Sequence, residues 1–180
     1  KMIEVVEAQV KARVGEYIYA VDDENMEEVV AKLLKDNCLT VACAESCTGG
    51  MLASRLTSIS GSSMYIKGSI VTYSNEAKMK FLDVDKEILD TKGAVSPEVA
   101  KQMAEGVRKV VGSDIGVGIT GIAGPTGGTD KKPVGLVYIA VAGKDNIVVK
   151  ENIFSGDRAR VRYRSTQQAL EMIRQYIKNK

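Results

Sequence analysis

The amino-acid sequence predicts an α/β fold, a three-layer sandwich with a mainly parallel sheet and one antiparallel hairpin between layers of helices. Short apolar runs alternate with segments of helical periodicity along most of the 180 residues, which is typical of strands joined by crossover helices. The apolar runs at 135–142 and 147–154 are separated only by a short turn, which predicts a hairpin. A hydrophobic content of 44% is sufficient for the core of such a domain.

The first third of the chain is predicted to contain two helices and two strands. Ile3, Val6, Val10 and Val14 recur at helical spacing, and Gly15 ends this pattern. The elements expected here are a helix at 3–14, a strand at 17–21, a helix at 24–35 capped by Asp22 or Asp23, and a strand at 39–44.

The remaining elements follow from capping residues and apolar runs. Pro97 is at a favourable first helical position behind Ser96, and Asp157 is a suitable cap for the last helix. We expect helices from about Met51, at 75–81, at 97–111 and from 157 to 177, strands at 65–73, 115–119, 135–142 and 147–154, and loops at 58–63 and 120–129.

Composition restricts the classes of function. The net charge is +2 without a basic block, and the chain has no Trp and two Phe, which argues against a nucleic acid partner.

Three cysteines lie within ten residues, and neither a signal peptide nor an apolar membrane span is evident, which indicates a reduced, cytoplasmic protein. With no histidine and no CxxC pair, we expect no metal and no cofactor. Because the chain begins at Lys1 rather than Met, we interpret it as a piece of a longer polypeptide.

The most informative segment is the polar turn that follows the strand at 39–44. Ser46 comes directly after this strand, and Gly49 and Gly50 precede the next helix. Such strand ends carry ligand sites in open α/β sheets, and glycines allow close approach of the backbone. Ser46 is either a helix cap or a nucleophile, and without histidine its base cannot be imidazole. Cys47 is a rival nucleophile that also lacks a histidine partner.

Three further features have both a structural and a functional interpretation. The glycine-rich loop at 120–129 fits neither the P-loop nor the G-x-G-x-x-G pattern, so it is either a mobile connection or a wall of a pocket beside Ser46. Lys78 is either a solvated charge or a base with a lowered pKa. The arginines at 158, 160, 162 and 164 are either a solvated face or the site of an anion.

Six ordered motifs resemble the C-terminal domain of the competence/damage-inducible CinA proteins. The motifs are AESCTGG at 44–50, VTYSNEAK at 71–78, GAVS at 93–96, GITGIAGP at 118–125, KPVG at 132–135 and FSGDR at 154–158. The resemblance covers residues 24 to 180. It implies a domain at 23–180 preceded, at 1–22, by the tail of a region that links it to an N-terminal domain in longer members.

The resemblance also implies an activity, because this domain occurs alone as bacterial nicotinamide mononucleotide deamidase, which acts in pyridine-nucleotide salvage. It assigns catalysis to Ser46, Tyr73 and Lys78, with Tyr73 relaying the proton or positioning the lysine. The residues expected to bind substrate are Glu45, Thr48, Gly49, Gly50, Asn75, Thr120, Gly121, Gly124 and Arg158. Backbone amides near Ser46 and in the Gly49–Gly50 turn would bind the oxyanion. We expect a homodimer or higher homo-oligomer, no membrane partner, and, as alternatives, a non-catalytic nucleotide-binding or regulatory module or an interaction domain in DNA uptake.

Overall fold

The chain folds around a sheet of five strands with helices on both faces, as seen in a computed structural model that describes residues 2–179. The predicted domain ends Lys1 and Lys180 lie outside the described residues. The helices are α1 (Met2–Val14), α2 (Met26–Asp36), α3 (Met51–Thr57), α4 (Asn75–Leu82), α5 (Lys86–Lys92), α6 (Pro97–Val111) and α7 (Arg158–Lys178), with 3-10 turns at Gly15–Tyr17 and Ser62–Met64. The strands are β1 (Val41–Glu45), β2 (Ile66–Val71), β3 (Ile115–Gly121), β4 (Leu136–Ala142) and β5 (Ile147–Ile153).

The sheet is mixed, with the strand order β2-β1-β3-β4-β5. β1 pairs parallel to β2 and to β3, whereas β3–β4 and β4–β5 are antiparallel. The prediction of a mainly parallel sheet with a single hairpin is therefore only partly correct. For β4 to lie parallel to β3, the two strands would need a crossover connection, usually a helix. The connection at 122–135 contains no helix, and it returns the chain alongside β3 in the opposite direction.

The two faces of the sheet differ in the size of their side chains. Along β3, Ile115, Val117 and Ile119 belong to one core cluster together with residues of α2, α3 and α7. The alternate positions Gly116 and Gly118 face α6, whose side chains form a second cluster with α4 and α5. This period-two alternation fits a strand buried on both faces.

Small residues in β3 allow α6 to pack directly on the sheet. A Cβ atom at Gly116 would overlap the carbonyl oxygen of Ala104, and a Cβ atom at Gly118 would overlap that of Ala100. Because these neighbours are helix backbone, they cannot rotate away as a side chain would. Glycine in β3 thus sets the distance between the sheet and α6.

Two local predictions near the N-terminus are wrong. The strand expected at 17–21 does not form, since a 3-10 turn occupies Gly15–Tyr17 and the residues after it are irregular. Tyr17 and Val21 remain exposed, so this apolar run has no sheet to pack against. α2 begins later than expected, because Asn25, and not Asp22 or Asp23, accepts the hydrogen bond from Glu28 N in a capping box.

The caps predicted downstream are confirmed, and one helix was not foreseen. Ser96 accepts from Val99 N at the start of α6, and Asp157 accepts from Arg160 N at the start of α7. α5, capped by Asp85, is seven residues long, too short for a clear periodic pattern. Within residues 2–179, no helix combines the length and apolar character needed to cross a bilayer.

Substitution of Gly118 by alanine should destabilise the fold, because the added methyl would collide with the α6 backbone. We expect the free energy of unfolding to fall by about 1–3 kcal/mol. Gly15→Ala is the matched control, since the nearest atom to its Cβ would be 3.9 Å away. Urea denaturation of both variants checks this, and equal stability of the two would contradict the packing described here.

Candidate active site

The carboxyl ends of β2, β1 and β3 meet at one pocket, as expected for an open α/β sheet. Its volume is about 270 Å³. The segment between α5 and α6 and the first residue of α7 complete the walls. The lining residues are Ser46, Cys47, Tyr73, Lys78, Ala94, Val95, Thr120, Gly121, Ile122, Ala123, Gly124, Thr126, Gly127 and Arg158.

A buried lysine and a serine are hydrogen-bonded at the base of this pocket. Lys78 Nζ lies 3.1 Å from Ser46 Oγ. The lysine is only 1% exposed and the serine 8%. The interpretation of Lys78 as a solvated surface charge is therefore wrong. Burial lowers the pKa of Lys78, since an ammonium ion loses its hydration in this position.

Helix α4 and the end of β2 place the lysine. Ser74 caps α4 by accepting from Ala77 N, and Lys78 lies in the turn that follows. Its amine also donates to the carbonyl oxygen of Thr72, at 2.8 Å. Thr72 is fully buried directly after β2. The amine is thus held between the backbone of one strand end and the serine hydroxyl of another.

Glu45, rather than Ser46, caps the helix that follows the turn. The buried carboxylate of Glu45 accepts hydrogen bonds from the amides of Gly50, Leu52 and Ala53, at 2.9–3.1 Å. Gly50 occupies the N-cap position of α3, but it has no side chain that could accept a hydrogen bond from the helix. The helix-cap interpretation of Ser46 is therefore wrong. The carboxylate of Glu45 is turned away from the pocket, and Glu45 is not among its lining residues.

The amides of Gly49 and Gly50, which were expected to help bind an oxyanion, are engaged within the protein. Ser46 N donates to Ile119 O and Gly49 N donates to Ser46 O, while Gly50 N donates to Glu45. Gly49 and Gly50 instead serve the turn itself, with φ angles of 60° and 91° that side chains rarely adopt. The amide of Cys47, directly after Ser46, is not among these donors.

Thr48 and Asn75 also lie outside the lining of the pocket. Thr48 is fully buried, and its carbonyl accepts from Arg162 at 2.7 Å. Arg162 thereby ties α7 to the turn that carries Ser46. Asn75 is the exposed first residue of α4. Their assignment as substrate-binding residues therefore stays a prediction.

Tyr73 is bonded to an arginine and not to the lysine it was expected to assist. Its hydroxyl accepts from Arg158 at 2.9 Å, and Arg158 also donates to Gly124 O at 3.0 Å. The guanidinium thus bridges the end of β2 and the glycine-rich loop. All three residues line the pocket, so this bridge forms part of its mouth.

The hydrogen bonds that fix the opposite wall were not predicted from the sequence, although Thr120 was expected to bind substrate. Thr120 Oγ1 donates to Ala94 O at 2.7 Å. Lys132 Nζ donates to Lys92 O at 2.5 Å and to Val95 O at 2.7 Å. The motifs at 93–96 and 132–135 carried the family resemblance. The sequence alone could not show that one motif hydrogen-bonds to the other.

Gly121 lines the pocket and also packs against the neighbouring strand. A Cβ atom at Gly121 would lie 2.6 Å from Val137 Cγ2 and 2.7 Å from Leu136 O. Gly124 has a φ of 77°. Both glycines are required by the local backbone, whatever they contact in a ligand.

Cys47 is not suited to act as the nucleophile, although it lies in the pocket. Its side chain is buried, and burial raises the pKa of its thiol to about 12. The attacking species of cysteine is the thiolate, which is therefore scarce at neutral pH. Cys43 is likewise buried, whereas Cys38 is exposed.

Comparison with known proteins gives consistent matches. The sequence fits the family model of the CinA C-terminal domain over residues 23–177. A competence-damage inducible protein from Thermoanaerobacter sp. strain X514 is 52% identical over 177 residues, which are 98% of this chain and 43% of that relative. The chain spans less than half the length of the curated relatives it matches.

Solved structures show the same fold. The competence/damage inducible protein CihA from Agrobacterium tumefaciens has a TM-score of 0.80 at 40% identity, over 86% of this chain and 96% of that one. A CinA superfamily protein from Klebsiella pneumoniae has a TM-score of 0.83 at 32% identity, over 87% of this chain and 100% of that one.

Alkylation of the folded protein should separate the three thiols. At mildly alkaline pH we expect iodoacetamide to modify Cys38 quickly, and to modify Cys43 and Cys47 only after denaturation, because burial keeps both thiols protonated and covered. Peptide mass spectrometry at several times measures each rate. Modification of Cys47 in the folded protein as fast as Cys38 would restore the thiol as a candidate nucleophile.

Proposed function

This chain belongs to the CinA C-terminal domain family, and we propose that it hydrolyses the carboxamide of nicotinamide mononucleotide to nicotinate mononucleotide and ammonia. The observation that carries the reaction type is the buried hydrogen bond between Lys78 and Ser46. A serine with a neutral amine as its base is an established alternative to the serine–histidine pair. The choice of substrate rests on the resemblance of the six motifs.

In this mechanism Lys78 acts as a neutral amine. One N–H donates to Thr72 O, which leaves the nitrogen lone pair free to face the Ser46 hydroxyl. Lys78 takes the hydroxyl proton while Ser46 Oγ attacks the carboxamide carbon. The resulting ammonium then protonates the departing nitrogen, and ammonia leaves an acyl-serine ester. Water then attacks this ester while the same amine takes one of its protons, and the ammonium returns that proton to Ser46 Oγ as the ester bond breaks, which releases nicotinate mononucleotide and restores Ser46 and Lys78.

The developing oxyanion needs a donor close to the nucleophile. We assign this role to Cys47 N, because the amides of Ser46, Gly49 and Gly50 are engaged within the protein. The amide of the residue after the nucleophile has this function in other serine hydrolases. The cationic pyridinium ring withdraws electrons from the carboxamide and makes its carbon more electrophilic.

The nucleotide phosphate would bind at the mouth of the pocket. A volume of about 270 Å³ is small for a ligand site, so we place the pyridine ring inside and the phosphate at the rim. Arg158 stands there, and it is exposed. Its guanidinium has five N–H donors, of which those to Tyr73 and Gly124 are two. Tyr73 is assigned to hold this arginine rather than to relay a proton.

A non-catalytic nucleotide-binding module is the competing proposal, and the burial of Lys78 argues against it. Removing an ammonium group from water costs several kcal/mol unless a partner compensates. A module that only binds gains nothing from placing a lysine beside a serine in this way. We further propose that the reaction serves pyridine-nucleotide salvage in the cytoplasm.

Ammonia release by the purified chain tests the proposed function, with Ser46→Ala as the decisive variant. Loss of the covalent route should lower kcat by about ten-thousandfold or more, with folding intact. Ser54→Ala is the matched control, since Ser54 is an exposed serine of α3 outside the pocket lining. If the wild-type chain binds the nucleotide without releasing ammonia, the regulatory module is correct. Turnover by folded Ser46→Ala near the wild-type rate would exclude the serine mechanism.

Lys78→Arg should be as damaging as Lys78→Ala, because a guanidinium cannot give up its proton near neutral pH. In the wild type, kcat/KM should rise with pH through the pKa of Lys78 and then level off, since the deprotonated amine is the active form. Burial lowers this pKa, so the rise should come below the ordinary lysine value of about 10.4. Lys80→Arg, on the exposed side of α4, should leave the profile unchanged. Substantial turnover by Lys78→Arg would show that the base lies elsewhere.

Arg158→Met should weaken recognition of the phosphate without stopping the chemistry. We expect KM for nicotinamide mononucleotide to rise by about tenfold or more, since charge-assisted hydrogen bonds of this kind are worth about 1.5–3 kcal/mol each. The unphosphorylated riboside should react with the variant much as it does with the wild type. Arg160→Met serves as the control, because Arg160 is exposed and outside the pocket lining. Equal losses for nucleotide and riboside would place the phosphate elsewhere.

A further inference from the structure

The pocket offers no negative charge to the ammonium form of Lys78. The Lys78 amine is bonded to two neutral oxygen atoms, Ser46 Oγ at 3.1 Å and Thr72 O at 2.8 Å. The described residues that line the pocket include no aspartate and no glutamate. The buried carboxylate of Glu45 is bonded to the first amides of α3 instead. A protonated Lys78 therefore requires a counter-ion that this part of the chain does not supply.

The other titratable and charged groups around Lys78 do not fill this need. The thiol of Cys47 stays neutral near neutral pH, because burial raises its pKa to about 12. Arg158 is a second cation at the mouth of the pocket, and the hydroxyl of Tyr73 is bonded to it. The charged side chains between α4 and α6 line a separate hollow that shares no residue with the pocket: Asp83, Glu105 and Lys109.

We propose that the site retains its own acidic product through an ion pair between the Lys78 ammonium group and the carboxylate of nicotinate mononucleotide. This inference rests on the proposed hydrolysis, because that reaction brings the two groups together. The oxygen atom that enters from water lies beside the amine that took its proton, and hydrolysis first forms a carboxylic acid. The proton of this acid then passes to the neutral Lys78 amine, which leaves a carboxylate and an ammonium ion in contact. No other bond forms or breaks in this step.

The proton transfer is favourable because an amine is a much stronger base than a carboxylate. Carboxyl groups ionise near about pH 4, whereas the ordinary pKa of lysine is about 10.4. Burial lowers the pKa of Lys78 in the free protein, and an opposite charge within about 4–6 Å raises it again. The attraction between the two charges is stronger in a buried site than at the surface. The carboxamide substrate has no charge at this position, so the pair holds the product and not the substrate.

Acid binding should weaken as the pH rises. The ion pair requires the ammonium form of Lys78, which is present below the pKa of the free protein and is lost above it. Above that pKa, each bound acid takes up one proton, so its Kd should increase by about tenfold per pH unit. The phosphate of the nucleotide also titrates, near about pH 6, and a reference ligand with the same phosphate cancels this contribution.

Calorimetric binding of nicotinate mononucleotide to the wild-type chain tests the ion pair without turnover. The reference ligand is the same pyridinium mononucleotide without its carboxyl group. The acid should bind more tightly than the reference, and this preference should decline between about pH 6 and pH 10, below the ordinary lysine value of about 10.4. Titrations in buffers of different ionisation enthalpy should show proton uptake with the acid only. A preference that is absent or independent of pH would overturn the proposal.

Lys78→Met should reduce the preference for the acid by about tenfold or more, because the charge-assisted hydrogen bond is lost. The reference ligand measures the binding of the remaining groups in each protein. Lys80→Met is the matched control, since Lys80 is on the exposed side of α4, and it should keep the preference. Loss of the preference in Arg158→Met, but not in Lys78→Met, would place the carboxylate at the mouth of the pocket and overturn the proposal.

Ammonia release from nicotinamide mononucleotide, measured on the same wild-type preparation, separates this inference from the proposed function. A chain that releases ammonia but shows no preference dependent on Lys78 would refute the ion pair and leave the hydrolysis in place. A chain that binds neither nucleotide and releases no ammonia would refute both.

Discussion

The arrangement of this molecule depends on one contact, the buried hydrogen bond between the Lys78 amine and the Ser46 hydroxyl. A lysine side chain that is 1% exposed and bonded to a serine and a backbone carbonyl has little to stabilise its charged form. Burial lowers the pKa of this amine and so shifts its equilibrium toward the neutral form. Several elements have to be in place for the contact to exist. β1 must end beside β2 so that Ser46 and Thr72 are neighbours, and α4 must begin directly after its cap Ser74 so that its first turn returns Lys78 to the sheet.

The residues around Ser46 stabilise the turn, and they leave the serine hydroxyl available for the lysine amine. Glu45 is the nearest carboxylate along the chain, and its oxygen atoms are saturated by the first amides of α3. This caps the helix, stabilises the charge of the carboxylate and directs it away from the pocket. Arg162 fixes the carbonyl of Thr48 from the side of α7. The turn is thereby held from both of its ends, and the serine between them has its hydroxyl free for the amine.

The local elements around Ser46 were predicted more accurately than the topology of the sheet. The run from β1 into the Ser46 turn, the cap at Ser96 and the glycine-rich loop all have strong local signals, and each is where it was expected. The direction of β4 could not be predicted, because a buried apolar strand has the same residue pattern whether its neighbour is parallel or antiparallel. Glu45 and Tyr73 were given ligand and proton-transfer roles, whereas their hydrogen bonds go to α3 amides and to Arg158. Those partners are distant in sequence or reachable only through backbone geometry, so no local pattern encodes them.

The ionisation state of Lys78 is the central claim, and it can be measured without substrate. Nuclear magnetic resonance of protein labelled at the lysine side-chain Cε, assigned by comparison with a Lys78→Met variant, gives the pKa of this amine directly. Burial predicts a pKa of Lys78 below the ordinary lysine value of about 10.4. A pKa of Lys78 at or above about 10.4 would contradict the account, because a protonated amine could not accept the serine proton.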